Sequence, residues 1–275
     1  MKGPSKNIEL AGISHIGPVR DENQDSIYWL DDSEKTGLLF LAVADGMGGY
    51  SHGKLASSMA LDKVVETVRQ NKGKPKQVLK RGFESANLAI YQTTQKLGVG
   101  RMGTTLTAAF LEGNRLTIGH VGDSRAYLLR EGAISCLTRD HTVVGDMVRM
   151  RILSPEKVRT HAQRSILTRG LGLNPFVTPD ISQYTIRDGD TIILCSDGLW
   201  SVVEDEEFQL IYHESQGISG LLDRLLSLAL DRETDDNISA VSIRVNQVSS
   251  VPFKDGQSGW TWLRSIVKPN RNHIF

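Results

Sequence analysis

The chain has 275 residues, 39% hydrophobic and 23% charged, and its 32 basic and 32 acidic side chains cancel to a formal net charge of +0. That length and composition describe an ordinary soluble globular chain and exclude disordered and collagen-like ones, and no apolar run approaches a membrane span. The balanced charge removes the electrostatic case for nucleic acid or an anionic membrane as partner.

In chain order, the opening MKGPSKNIELAG lacks the apolar stretch of a secretory signal, so a cytoplasmic location is expected. Strands are predicted over about 8–15, 25–31 and 37–44. Helical patterns follow over 53–70 and 75–97; in the second, Leu79, Phe83, Ala86, Ile90 and Leu97 fall near one face, and Pro75 suits a first turn. Strands over 103–111, 114–121, 124–130 and 133–137 are joined by EGN and REG, which imply antiparallel hairpins. Residues 141–180 carry mixed charge, short helical fragments and Pro155, Pro175 and Pro179, as a surface excursion would. Strands over 183–187 and 190–196, helices over 204–214 and 218–231, and a last strand over 238–246 complete the domain. Strand blocks interrupted by helices predict an α+β layered sandwich. Cys136 and Cys195 both sit in strand-like apolar stretches and are predicted to be buried, reduced thiols. The domain is expected to occupy 1–246, as a monomer. Its tail, 247–275, reads as a polar linker and then a short basic amphipathic segment with Trp260, Trp262, Leu263 and Ile266, which packs on its own domain or docks on a partner.

One feature of the strands concerns chemistry. LLFLAVADG, LTIGHVGDS and TIILCSDG each end an apolar run on an aspartate beside a glycine: Asp45, Asp123 and Asp197. Asp25 and Asp236 stand just before other predicted strands. Any one of these could be a turn. If the strands are neighbours, however, five carboxylates meet at one rim, where they cannot all ionise without a cation, and hard oxygen donors suit Mg²⁺ or Mn²⁺. Gly46 and Gly198 would let the backbone bend and a carbonyl come close to an ion. For Asp31, Asp140 and Asp235 the turn or cap reading stands.

The ordered set RDENQD (20–25), VADGMGG (43–49), MGTT (102–105), HVGDSRAY (120–127), LTRDHT (137–142), SDGLW (196–200) and DDNIS (235–239) resembles the metal-dependent serine/threonine protein phosphatases, the type 2C or PPM family, over about residues 8–246. DGMGG, with Met47 where many eukaryotic members have a histidine proposed as a proton donor, resembles the bacterial branch. The resemblance implies a four-layer α-β-β-α sandwich of two packed, mainly antiparallel sheets flanked by helices. It implies hydrolysis of phosphoserine and phosphothreonine in proteins by direct attack of a metal-bridging water or hydroxide, in opposition to Ser/Thr kinases. Asp45 then bridges two Mn²⁺ or Mg²⁺ ions, with the Gly46 carbonyl, Asp197 and Asp236 as further ligands. Asp25 acts mainly through metal-bound water, Asp123 resembles a ligand of a third ion, Arg20 grips the substrate phosphate, and 141–180 is a flap. Two rival readings are weaker. GGYSHGK at 48–54 has P-loop spacing but continues with Leu55, where a nucleotide's Mg²⁺ needs a hydroxyl. A catalytically dead binding module would have lost ligand aspartates, and none is lost.

Overall fold

Strand β3 (Leu38–Ala44) reads LLFLAVA. An apolar run without alternation has to bury both of its faces, and burying both requires layers on either side. Phe40, Ala42 and Ala44 pack against helices α1 (His52–Gln70) and α2 (Pro75–Leu97), while Leu39, Leu41 and Val43 join the core between two sheets. Strand β11 (Thr191–Cys195) solves the same problem from the other side: Ile192 and Leu194 enter the inter-sheet core, and Ile193 and Cys195 face helices α5 (Asp205–Glu214) and α6 (Gly217–Asp231). Three hydrophobic clusters therefore separate four layers, α-β-β-α. Truncating a fully buried side chain such as Leu41 or Leu194 to alanine would cost about 2–5 kcal/mol. The computed structural model describes residues 7–32, 38–48, 52–70 and 73–248; the amphipathic segment predicted in the tail lies outside them.

The remaining strands are β1 (Ile8–His15), β2 (Ser26–Asp32), β4 (Gly46–Met47), β5 (Gly103–Thr104), β6 (Leu106–Glu112), β7 (Arg115–Val121), β8 (Arg125–Arg130), β9 (Ala133–Cys136), β10 (Asp180–Thr185) and β12 (Ile238–Val245). One sheet has the order β10-β7-β6-β3-β2, the other β1-β12-β11-β8-β9, and β4 with β5 forms a two-stranded ribbon. All the paired strands run antiparallel. The β8–β9 connection places Glu131 and Gly132 at φ 51° and 83°, the left-handed pair of a tight hairpin turn.

Four expectations are corrected. The strand predicted over 103–111 is two, because Thr105 leaves the ladder to bond the Asp45 carbonyl from its N–H at 2.9 Å. The strand predicted over 183–187 starts earlier, directly after Pro179, because pairing with β7 sets its register from Asp180↔His120. A one-turn helix, α4 (Asp197–Trp200), follows β11, where the sequence suggested only a turn. Cys195 is buried as expected, but Cys136 is exposed, since β9 is an edge strand and its end is uncovered; both thiols are free. The excursion carries α3 (Val143–Arg149) and a 3₁₀ turn at Pro155–Lys157.

Candidate active site

Antiparallel pairing puts the end of one strand beside the start of its neighbour. Ser26 opens β2 opposite Ala44, which closes β3, so Asp25 and Asp45 arrive at the same rim. In the other sheet Cys195 closes β11 opposite Ala240 near the start of β12, which brings Asp197 and Asp236 together. Asp123 follows β7, whose last residue Val121 pairs with Leu106 at the same end of its sheet. The rim is the floor of a cleft of about 1260 Å³ lined by Arg20, Asp45, Gly46, Asp123, Asp197 and Asp236 among others. Asp25 lies immediately behind, 1% exposed.

Short polar side chains hold these groups in place. Thr104 donates from Oγ1 to the Asp45 carbonyl (2.7 Å), and the Asp45 N–H donates to Thr105 Oγ1 (3.0 Å), which is what MGTT contributes. Ser196 Oγ donates to Asp25 Oδ2 (2.7 Å). Asn237 binds the loop before β2 through three bonds, donating from Nδ2 to the carbonyls of Ile16 (2.7 Å) and Glu22 (3.0 Å) and accepting at Oδ1 from the Gln24 N–H (2.8 Å). Trp200 donates from Nε1 to the Asp123 carbonyl (2.9 Å), and its ring lies 3.5 Å from the Arg125 guanidinium. Ser196, Asn237, Thr104, Thr105 and Trp200 lay within the quoted motifs without an assigned role, because a small polar side chain announces its partner only once the chain is folded.

Gly46 and Gly198 are there for space rather than for bending, whereas Gly122, before Asp123, takes a left-handed φ of 111°. Neither Gly46 nor Gly198 has a positive φ. A Cβ on Gly46 would stand 2.1 Å from the Gly53 carbonyl oxygen, and one on Gly198 2.1 Å from the Asn237 carbonyl oxygen. Backbone packed on backbone is what draws the rim together.

The electrostatics report the crowding. Burial, reinforced by the charges of Asp25, Asp197, Asp236 and Asp123, raises the Asp45 carboxyl well above the usual carboxylate range. Burial lifts Asp25 to about 7 against the Ser196 and Ser239 hydrogen bonds, and burial with the Asp236 charge lifts Asp197 to about 7. Asp123 is raised well above its ordinary value by burial, then by Asp197 and Asp140. Asp25 Oδ1 and Asp197 Oδ1 are buried with no hydrogen-bond partner. Arg20 partly relieves the charge, donating from Nη2 to Asp236 Oδ2 (2.7 Å) and from Nε to the Asp235 carbonyl (2.9 Å).

Among the described residues, no three acidic, His or Cys side chains already close around one point in a ligating arrangement. The donor chemistry nevertheless fits divalent cations: hard oxygens, mutually repelling, two of them orphaned in buried positions.

Other candidates are accounted for elsewhere. His120 and His141 lie 4.7 Å apart, ring to ring, and both are buried. His120 is held between Thr107 Oγ1 and the Arg139 carbonyl, and burial lowers it to about 4; His141 accepts from the Gly122 N–H and contacts Asp180. Lys54, the lysine of the P-loop-like stretch, donates to the Asp25 carbonyl and to Ser26 Oγ, while Gly49, Tyr50 and Ser51 of that stretch lie outside the described residues. From the excursion, Ser165, Ile166, Leu167 and Leu173 form one wall of the cleft.

The sequence profile of the family described as Protein phosphatase 2C matches residues 12–238. The chain belongs to that family. Among its relatives in the protein phosphatase 2C family, the Mycobacterium tuberculosis serine/threonine protein phosphatase PstP is 36% identical over 236 residues, covering 85% of this chain and 44% of PstP. This chain thus spans less than half the length of that relative. Protein phosphatase PhpP of Streptococcus pneumoniae is 28% identical over 244 residues, covering 87% of this chain and 98% of PhpP. A crystal structure of the PstP catalytic domain in complex with 2 manganese ions matches with a TM-score of 0.76 and 32% identity, covering 86% of this chain and 98% of that one.

Proposed function

We propose that this protein is a metal-dependent protein serine/threonine phosphatase that hydrolyses phosphoserine and phosphothreonine esters in proteins and so reverses Ser/Thr kinase signalling. The observation that carries this reading is the convergence of acids from four element ends on one cleft, with Asp25 from a fifth buried beside them and two buried carboxylate oxygens without partners. Asp45, the Gly46 carbonyl, Asp197 and Asp236 would hold two Mn²⁺ or Mg²⁺ ions, with Asp25 in the outer sphere and Asp123 serving a third. Such a pair of cations supplies, when bound, an acidified water for in-line attack and neutralises charge on the phosphoryl oxygens.

The protein's own groups do the rest. Ser196 orients Asp25, the threonines of 104 and 105 fix the Asp45 backbone, and Asn237 fixes the loop that carries Arg20. The Arg20 side chain is 51% exposed, so its planar fork is accessible to phosphate oxygens from the cleft. His120 and His141 are committed to structural partners, which leaves neither free to protonate the departing alkoxide. Two free thiols suit a reducing, cytoplasmic compartment, and among the described residues no helix is long and apolar enough to cross a membrane. Release of phosphate from a phosphothreonine peptide, followed with EDTA and after return of Mn²⁺ or Mg²⁺, tests the reading. Undiminished hydrolysis in excess EDTA, or by Asp45→Asn, would refute it.

A further inference from the structure

The cleft has two basic residues in its lining, Arg20 and Arg101, and they are used differently. Arg20 is bonded to Asp236 and to the Asp235 carbonyl. Arg101 is exposed and, among the described residues, has neither a hydrogen bond nor an ion pair, although the lining it shares is dominated by carboxylates. Three arginines of the excursion, by contrast, are engaged: Arg159 with Glu204 and Asp205, Arg164 with Asp235, Arg169 with Asp180.

The place of Arg101 is set by a rigid support. Met102, the next residue, is fully buried, and Gly103 and Thr104 pair with Met47 and Gly46 in the ribbon. The Arg101 carbonyl lies against Gly48, where a Cβ would come within 3.2 Å of it. A chain of contacts then orders the floor of the cleft. Arg20 bonds Asp236, the charges of Asp236 and Asp197 act on one another and on Asp45, Asp45 leads into Gly46 and Gly48, and Gly48 abuts Arg101. Arg20 and Arg101 are the first and last members of that chain of contacts.

We infer that Arg101 is a specificity determinant that binds a second anionic group of the substrate, a carboxylate or a phosphate flanking the phosphoserine or phosphothreonine being hydrolysed. This rests on the phosphatase reading. An unpaired guanidinium offers a fork of donors matched to either anion, and a fixed backbone lowers the entropic cost of using it. Among the described residues Arg101 has no side-chain partner, so an incoming anion does not have to displace one. The preferred substrate is therefore a phosphosegment with an acidic or doubly phosphorylated flank rather than a neutral or basic one.

The test compares phosphothreonine peptides in a neutral background, one unmodified and others with a single glutamate or a single phosphoserine walked through the flanking positions, in saturating Mn²⁺. At the best position the parent enzyme should favour the glutamate or phosphoserine peptide by about tenfold in kcat/KM, equivalent to about 1.4 kcal/mol. Preference for phosphoserine alone would identify phosphate as the natural anion, and equal preference for glutamate would identify any acidic flank. Arg101→Ala should bring the ratio of the two peptides close to one, Arg101→Lys should retain part of it, and Arg101→Glu should reverse it. Since each ratio is taken within one enzyme, loss of folded protein cannot imitate the result. Hydrolysis of all peptides with no flank preference in the parent, or a preference that survives Arg101→Ala, overturns the inference while leaving the phosphatase reading intact. If no peptide is hydrolysed, the phosphatase reading itself fails.

Discussion

Replacing Asn237 by alanine removes three hydrogen bonds together, to Ile16 O, Glu22 O and Gln24 N, from a side chain only 4% exposed. Each buried bond contributes about 1 kcal/mol net, and a backbone group left stranded costs about 1–3 kcal/mol. The loop carbonyls are part-exposed and recover water, so the sum is expected near 3 kcal/mol rather than at the upper limit. For a chain of this size that corresponds to a fall in Tm of roughly 6–12 °C. Function should fall as well, because the same loop carries Arg20 and leads into Asp25, and a displacement of about 1 Å can cost on the order of 100-fold in rate. Calorimetry in EDTA reads the stability, and phosphate-ester turnover in Mn²⁺ reads the geometry. Asn237→Asp keeps the shape and the acceptor for Gln24 but loses both donors and adds a charge to the acid cluster, so it should be at least as damaging at neutral pH. A Tm within about 2 °C of the parent for both variants would show that the loop is held by something other than Asn237.

Four further outcomes are expected. Asp197→Asn should cost several orders of magnitude in turnover yet raise the cation-free Tm, because it removes a buried charge that its neighbours repel; a lowered Tm in EDTA would contradict this. Asp25 and Asp197 have folded pKa values of about 7 against an ordinary 3.8, so the folded state holds extra protons between those values. Their contribution to stability is full below the unfolded value and is lost as pH rises through about 7: thermal melts in EDTA should show Tm falling from pH 5 to pH 8, and added Mn²⁺ should flatten the slope. Arg20→Lys should raise KM and lower kcat by roughly tenfold together, since a point charge replaces a fork; altered Tm with unchanged kinetics would make Arg20 a purely structural partner of Asp236. Removing residues 249–275 should lower Tm and small-ester hydrolysis together if the tail packs on its own domain, or spare the small ester and slow hydrolysis of the native phosphoprotein if it docks on a partner; unchanged rates on both substrates with an unchanged Tm would deny it either role.

Much of the site was legible because its acids sit at strand ends. LLFLAVAD and TIILCSD display the apolar run and the terminal carboxylate in a single line of sequence, and period-two burial then dictates which residues face which core. What escaped was whatever depends on a partner far along the chain. The start of β10 is fixed by β7, the break at Thr105 by the Asp45 carbonyl, and the exposure of Cys136 by the absence of a further strand beside β9. The place of Arg101 was equally silent, since an arginine before a strand does not show its cleft until the walls are assembled.

The layering and the supply of acids follow from local order along the chain: which positions are apolar, and which residue ends each run. Packing of the two sheets is what makes Asp45, brought to the rim with the buried Asp25 by the β2–β3 pair, share a cleft with Asp197 and Asp236, brought there by the β11–β12 pair. The physical reason is that repulsion between carboxylates and the stranding of Asp25 Oδ1 and Asp197 Oδ1 are properties of distance and burial, and neither exists until the two sheets pack face to face.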